Sequence, residues 1–229
     1  MGSKNKLKRF KENESFANVI QPTREELLTG SFSHKGAWQY YFGNANPIVL
    51  ELGCGKGEYT IGLGRKNPNT NYIGIDIKGA RFWRGAKTAF EEDLQNVAFV
   101  RAQIELLEYA FAAKEVSEIW ITFPDPQYKF KRVHHRLTNP TFLRSYRNVL
   151  KSDGCVHLKT DSAFLHGYTL GILDGWGISP KMAHHDVYQY VHAPKEVISI
   201  QTFYEQQYRQ KNIPITYLKF SFYTDVPTT

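Results

Sequence analysis

Cysteine is scarce in this chain of 229 residues: there are two, Cys54 inside a glycine-rich turn and Cys155 in a strand-like run. Two such positions read better as reduced thiols than as a bridge, which argues against a disulfide-built secreted scaffold and favours a reducing compartment. Long apolar runs are missing too. Nothing approaches the ~18 to 20 residues that cross a bilayer, and the N-terminus lacks the apolar stretch of a signal peptide, so the expectation is a cytoplasmic protein with no membrane partner. Acidic residues are in deficit, 22 against 29 Lys and Arg, which leaves a net charge of +7. An anionic partner follows, but charge alone does not choose between RNA, DNA and a lipid surface. No internal repeat or low-complexity segment breaks the chain, and its length suits one large domain.

What is present is organised around residues 48–57, Ile-Val-Leu-Glu-Leu-Gly-Cys-Gly-Lys-Gly. A short apolar run, an acid and three glycines read as a buried strand, a tight turn and the start of a helix at Glu58. Gly53, Gly55 and Gly57 free the backbone to take unusual angles and to approach a ligand closely. A second acid, Asp76, closes the strand-like run that starts at Tyr72, where an acid suits ribose hydroxyls. Loop plus acid leaves an S-adenosylmethionine site, a dinucleotide site, or an ordinary glycine turn. Glu51 ahead of the glycines and the G-x-G-x-G spacing resemble motif I of class I methyltransferases, which favours the first.

From residue 48, strands and helices alternate, the signature of a mostly parallel sheet covered on both faces. Strands are expected at 48–52, 72–76, 97–101, 118–123, 154–159 and 215–223, and helices at about 58–66, 79–94, 104–113, 139–150 and 162–174. Residues 1–33 read as a flexible basic arm, with five positive charges between Lys4 and Lys11 and little to bury, either solvated or ordering on nucleic-acid phosphates. Residues 34–229 form the domain, and Trp38, Tyr40, Tyr41 and Phe42 read as core. Ligands in an open sheet of this kind sit beyond the carboxyl ends of the strands, at the point where strand order reverses.

After the strand through Ile119–Thr122 comes Phe-Pro-Asp-Pro-Gln-Tyr-Lys, residues 123–129. A residue before proline is pushed out of the right-handed helical region, so Phe123 and Asp125 are both expected to be extended, with the carboxylate aimed by a stiff backbone. Lys129, Lys131, Arg132, His134, His135 and Arg136 follow, a density suited to polyanion phosphates. His157, His166, His184, His185 and His192 show no metal-ligand spacing, and no metal is expected.

Taken together, LELGCGKGEY, YIGID, FPDPQYK with its basic loop, RLTNPTFL, HLKTD and TFYE resemble the TrmB family of bacterial tRNA (guanine-N7)-methyltransferases, from about Lys35 to the last strand. The resemblance implies a class I S-adenosylmethionine-dependent methyltransferase fold, Rossmann-like, with a seven-stranded, mostly parallel sheet and an antiparallel last strand. It implies methyl transfer from S-adenosylmethionine to N7 of guanine 46 in the tRNA variable loop. Carried over, Glu51, Gly53, Gly55, Gly57, Asp76, Gln103 and Asp125 are cofactor positions, Asp125 is the catalytic aspartate, and Lys129, Asp161, Thr202 and Glu205 contact tRNA. The chain departs from the family pattern at Gln103, where an acid or Asn is usual, at Gln127, often Trp, and at His134 and His135, which replace part of a Lys/Arg cluster. An NAD(P)-linked oxidoreductase or a non-enzymatic RNA-binding protein remain the rival readings. The first leaves Glu51 and the basic loop without purpose, and the second leaves the strand-end acids so. Another RNA or a small molecule remains the rival methyl acceptor.

Overall fold

The computed structural model describes residues 3–223. In chain order it builds α1 (Ser3–Ser15), β1 (Val19–Ile20), α2 (Arg24–Thr29), α3 (Trp38–Phe42), β2 (Ile48–Leu52), α4 (Glu58–Lys66), β3 (Asn71–Ile75), α5 (Gly79–Glu91), β4 (Val97–Val100), α6 (Leu107–Ala110) and β5 (Val116–Thr122). There follow α7 (Pro140–Val149), β6 (Leu150–Thr160), α8 (Ala163–Gly175), β7 (Met182–His184), α9 (Lys195–Ser199), α10 (Phe203–Gln210) and β8 (Thr216–Phe220). Short 3₁₀ turns precede α6 and α7.

The strands form one sheet in the order β1-β4-β3-β2-β5-β6-β8-β7. Every pairing from β1 across to β6 is parallel, and β8 runs antiparallel to both of its neighbours. Strand order reverses at β2 and β5, so the carboxyl ends of these two strands frame the crevice where an open sheet binds its ligands. The sheet therefore has eight strands, against the six read from the pattern and the seven implied by the resemblance. β1 and β7 are the two not read, because two or three residues carry no readable period.

Alternation along the strands divides the core between two faces. Ile48, Leu50, Ile73, Ile119, Ile121 and Leu158 pack on one side with Trp38, Leu107, Phe142, Leu143 and Leu165 from the helices. Val49, Tyr72, Phe99, Trp120 and Tyr217 pack on the other with Tyr59, Leu63, Phe82, Ala86 and Val197. Both faces being covered explains why every residue of β2 and β3 is buried, Glu51 and Asn71 included. Tyr40, expected in the core, is 79% exposed.

The stretch expected as an arm carries elements of its own. α1 lies along α5, with Asn13 Nδ2 donating to Gly79 O at 2.9 Å and the Arg9 guanidinium 4.5 Å from the Trp83 ring centre. β1 extends the sheet beside β4, and Leu27 of α2 is buried, so the fold takes in residues well before 34. The basic side chains of α1 conceal an apolar-and-hydrogen-bonding contact carried by Phe10 and Asn13, which charge counting does not show. Met1, Gly2 and the last residues of the predicted domain, 224–229, lie outside the described residues.

Candidate active site

Gly53, Gly55 and Gly57 all have positive φ, 73°, 58° and 74°. At Gly57 the need is also steric, since a Cβ would stand 2.5 Å from Phe99 Cε1. At Gly55 the nearest atom to such a Cβ would be Gly53 O at 3.9 Å, so glycine there serves backbone shape and leaves room above the loop.

Two acids lock this loop. The buried carboxylate of Glu51 accepts from Thr60 N (2.8 Å) and from the hydroxyls of Thr60 and Thr122, the last at 2.5 Å. It therefore ties the end of β2 to the first turn of α4 and to the end of β5. Burial pushes its pKa up to about 7 against the pull of these three donors. Asp76, just past β3, accepts from Gly55 N (3.1 Å) and Lys78 N (2.8 Å). Sequence reasoning missed both threonines, whose partners lie on other elements, and missed Ile77, whose apolar side chain stays 48% exposed beside Asp76. Gln103 follows β4 and is exposed, its side-chain oxygen taking a 2.7 Å hydrogen bond from Arg24.

The Pro-Asp-Pro stretch departs from expectation. Phe123 is not extended but has φ of 48°, and Gln127 has φ of 49°. The proline ring forbids the right-handed helical region, and two anchors hold Phe123 in the left-handed one: its N–H donates to Lys159 O at 2.8 Å, and its ring stacks on Tyr208. Two non-glycine residues in that region hold strain of order 1–3 kcal/mol each, on both sides of Asp125. Asp125 itself is exposed and accepts from Gln127 N at 3.0 Å.

Of the six basic residues expected to form a phosphate dock, five remain at the surface. Lys129, Lys131, Arg132, His134 and His135 are exposed in and before the 3₁₀ turn. Arg136 is 6% exposed and acts as a brace, donating to Gln127 O at 3.1 and 3.2 Å while its guanidinium lies over the Phe164 and Tyr168 rings.

In the last segment the expected contact residues have different surroundings. Asp161, at the carboxyl end of β6, is partly exposed, and burial raises its pKa. Glu205 is fully buried and pairs at 2.7 Å with the equally buried Lys159, while Tyr188 donates to it at 2.6 Å. Lys159 Nζ also donates to Ile200 O (3.1 Å) and Val197 O, and burial pulls its pKa down to about 8. Thr202 is the N-cap of α10, in a capping box with Glu205. So the Glu205 carboxylate offers nothing to a polyanion at the surface, and its work is to pin α9 and α10 over β6. The start of α10 does reach the glycine loop: Phe203 N donates to Glu58 Oε2 at 3.1 Å, and Lys56 Nζ lies 4.6 Å from the Phe203 ring centre.

His157 and Cys155 sit along β6 below the strand ends. With Glu118 they place donor atoms within 4.8 Å of one another, but the group closes on itself through hydrogen-bonding contacts, Cys155 Sγ to His157 Nε2 at 3.2 Å and His157 Nδ1 to Tyr217 Oη at 2.8 Å.

The carboxyl edge of the sheet thus gathers Glu51, the glycines, Asp76, Ile77 and Asp125 around the β2–β5 crevice. Carboxylates, an apolar edge and backbone without Cβ suit a cofactor that combines an adenine, a ribose and a positive sulfonium centre.

A family described as "Putative methyltransferase" matches residues 45–218. The tRNA (guanine-N(7)-)-methyltransferase of Christiangramia forsetii is 68% identical, spanning 96% of this chain and 99% of that protein. The protein of the same name from Bacteroides thetaiotaomicron is 45% identical across 95% of this chain and 85% of its own length. Among solved structures, the 16S rRNA methyltransferase KamB aligns with a TM-score of 0.62 at 14% identity, covering 82% of this chain and 94% of that one. A 16S rRNA (adenine(1408)-N(1))-methyltransferase from Catenulisporales acidiphilia, solved with SAM, aligns at 0.55 with 14% identity, covering 85% and 93%. These structures share the class I methyltransferase fold.

Proposed function

The chain belongs to the TrmB family of tRNA (guanine-N7)-methyltransferases, and on that premise we propose that it methylates N7 of guanine 46 in the tRNA variable loop, with Asp125 holding the guanine. S-adenosylmethionine supplies an electrophilic methyl group on a sulfonium. Guanine N7 carries an in-plane lone pair and no proton at neutral pH, so no general base is required. What the acceptor needs is alignment and a counter-charge, because the base becomes cationic on methylation. Asp125 suits both tasks. The observation that carries this reading is its placement: an exposed carboxylate at the carboxyl end of β5, on a strained and braced loop, beside the Glu51–Thr122 link to the glycine loop.

Glu51, the glycines, Asp76, Ile77 and Gln103 line the cofactor side of the same crevice. Lys129, Lys131 and Arg132 stand on the RNA side as phosphate contacts, with Asp161 at the neighbouring strand end. N7 faces the deep groove of an RNA helix, which side chains reach poorly, so a guanine in a loop or drawn out of its tertiary contacts is the accessible form.

The test is methyl transfer from labelled S-adenosylmethionine to unmodified tRNA transcripts, with the product nucleoside identified. 7-Methylguanosine that disappears when guanine 46 is replaced supports the reading. Incorporation elsewhere, or only into another RNA or a small acceptor, overturns the choice of position or of substrate.

A further inference from the structure

The cleft between α1 and α5 is a cavity of about 950 Å³ that opens beside the glycine loop. Six exposed cations line it: Lys6, Lys56, Lys78, Arg81, Arg84 and Arg101. Their origin is informative. Lys56, Lys78 and Arg101 stand just past the carboxyl ends of β2, β3 and β4, on the same edge as the candidate active site. Arg81 and Arg84 come from the first turns of α5, and Lys6 comes from α1. Among the described residues, none of the six forms an ion pair with a carboxylate. Glu58, the one acid in the lining, is engaged by Phe203 N. Like charges gathered this closely repel one another, and a polyanion relieves that repulsion.

We propose that this α1–α5 groove is a second phosphate-binding wall for tRNA, facing the Lys129–Arg132 segment across the cofactor crevice. The inference rests on the reading of the protein as a tRNA methyltransferase. RNA is the polyanion this proposal commits to because the groove lining includes Lys56 from the glycine loop and Ile77 and Lys78 just past Asp76, so a strand whose guanine reaches Asp125 would pass the groove mouth. The second basic wall lies after β5, on the far side of the crevice. Two walls at opposite edges hold the backbone on either side of the target base and fix its approach. α1 forms its wall through the Asn13–Gly79 hydrogen bond and the stacking of Arg9 on Trp83, so its role is positional as well as electrostatic.

The test measures tRNA binding by the full chain over a salt series, using an unmodified tRNA transcript without cofactor, alongside steady-state kinetics and S-adenosylmethionine affinity. Arg81→Ala with Arg84→Ala removes two groove charges. Lys151→Ala with Lys181→Ala removes two exposed charges away from the groove and serves as the control for net charge. Each lost phosphate contact lowers the log–log salt slope by about 0.7–0.9, so the groove pair is expected to lower it by about 1.5 and weaken binding at least about tenfold at ~0.15 M salt. Its kcat at saturating tRNA, S-adenosylmethionine affinity and thermal midpoint are expected to stay within about twofold or a few degrees of the wild type, and the control pair to match the wild type throughout. An unchanged slope in the groove pair, or an equal loss in the control pair, overturns the proposal. Wild-type protein that binds tRNA with this groove dependence but yields no 7-methylguanosine would retain the groove and overturn the functional reading. Wild-type protein that does not bind tRNA would overturn both.

Discussion

Asp125 and Glu51 are both acids at the edge of one sheet, yet their surroundings assign them different work. Asp125 is exposed and ready to meet a base, so Asp125→Asn is expected to leave S-adenosylmethionine affinity within about twofold and lower kcat by about 10²-fold, the scale of a lost electrostatic contact to developing charge. Equilibrium dialysis and single-turnover methylation check the two halves, and near-wild-type turnover would refute a charge-stabilising role. Glu51 is buried among three donors with a pKa near 7. Between its ordinary value of 4.5 and that value the folded state holds more proton than the unfolded chain. Stability from this group is therefore lost as pH rises through the window, by on the order of 3 kcal/mol in all. Glu51→Gln keeps an oxygen for Thr60 and turns an N–H towards the Thr122 hydroxyl. Denaturant melts from pH 4.5 to 7.5 are expected to show a decline for the wild type that is absent from this variant.

At the scale of elements, the sequence was legible where a local constraint has one solution and illegible where the partner is distant. The glycine loop could be read because positive φ and close packing at Gly57 demand glycine, and α4 begins and ends where its pattern says. Thr60 and Thr122 could not, since nothing near them in sequence shows that they meet on Glu51. The pre-proline rule excluded one region for Phe123 but did not choose between the two that remain. Its contacts with Lys159 and Tyr208 made that choice. The resemblance makes Thr202 and Glu205 RNA contacts, although Thr-x-x-Glu is equally the signature of a capping box, and the structure contains that box. The Lys159–Glu205 pair then makes a firm prediction. Lys159→Met leaves a carboxylate buried without its cation and is expected to cost about 3–5 kcal/mol, whereas Lys159→Met with Glu205→Leu recovers much of that loss. Chemical denaturation of the two singles and the double closes the cycle, and full additivity would show the pair to be uncoupled.

For the whole molecule, the net charge of +7 acquires meaning only through where the fold places it. Arg136 shows the point at its smallest, a guanidinium counted with the docking loop that in fact braces Gln127 and Tyr168. Lys129, Lys131 and Arg132 keep their charge at the surface, and the strand ends collect further cations around the same crevice. If about four of these meet phosphates at once, the log–log slope of affinity against salt is about −3, and raising salt fourfold, from about 50 to 200 mM, weakens tRNA binding by roughly 10²-fold. On the proposed reading Glu51, Asp76 and backbone frame the cofactor site, so S-adenosylmethionine affinity is expected to move by less than about threefold over the same range. The measurement is KM for tRNA and Kd for S-adenosylmethionine in parallel salt series. Lys131→Ala with Arg132→Ala is expected to flatten the first by about 1.5 in slope and leave the second unchanged. A tRNA KM that stays level from low to physiological salt would mean that these cations are merely solvated, and that affinity comes from contacts to bases instead.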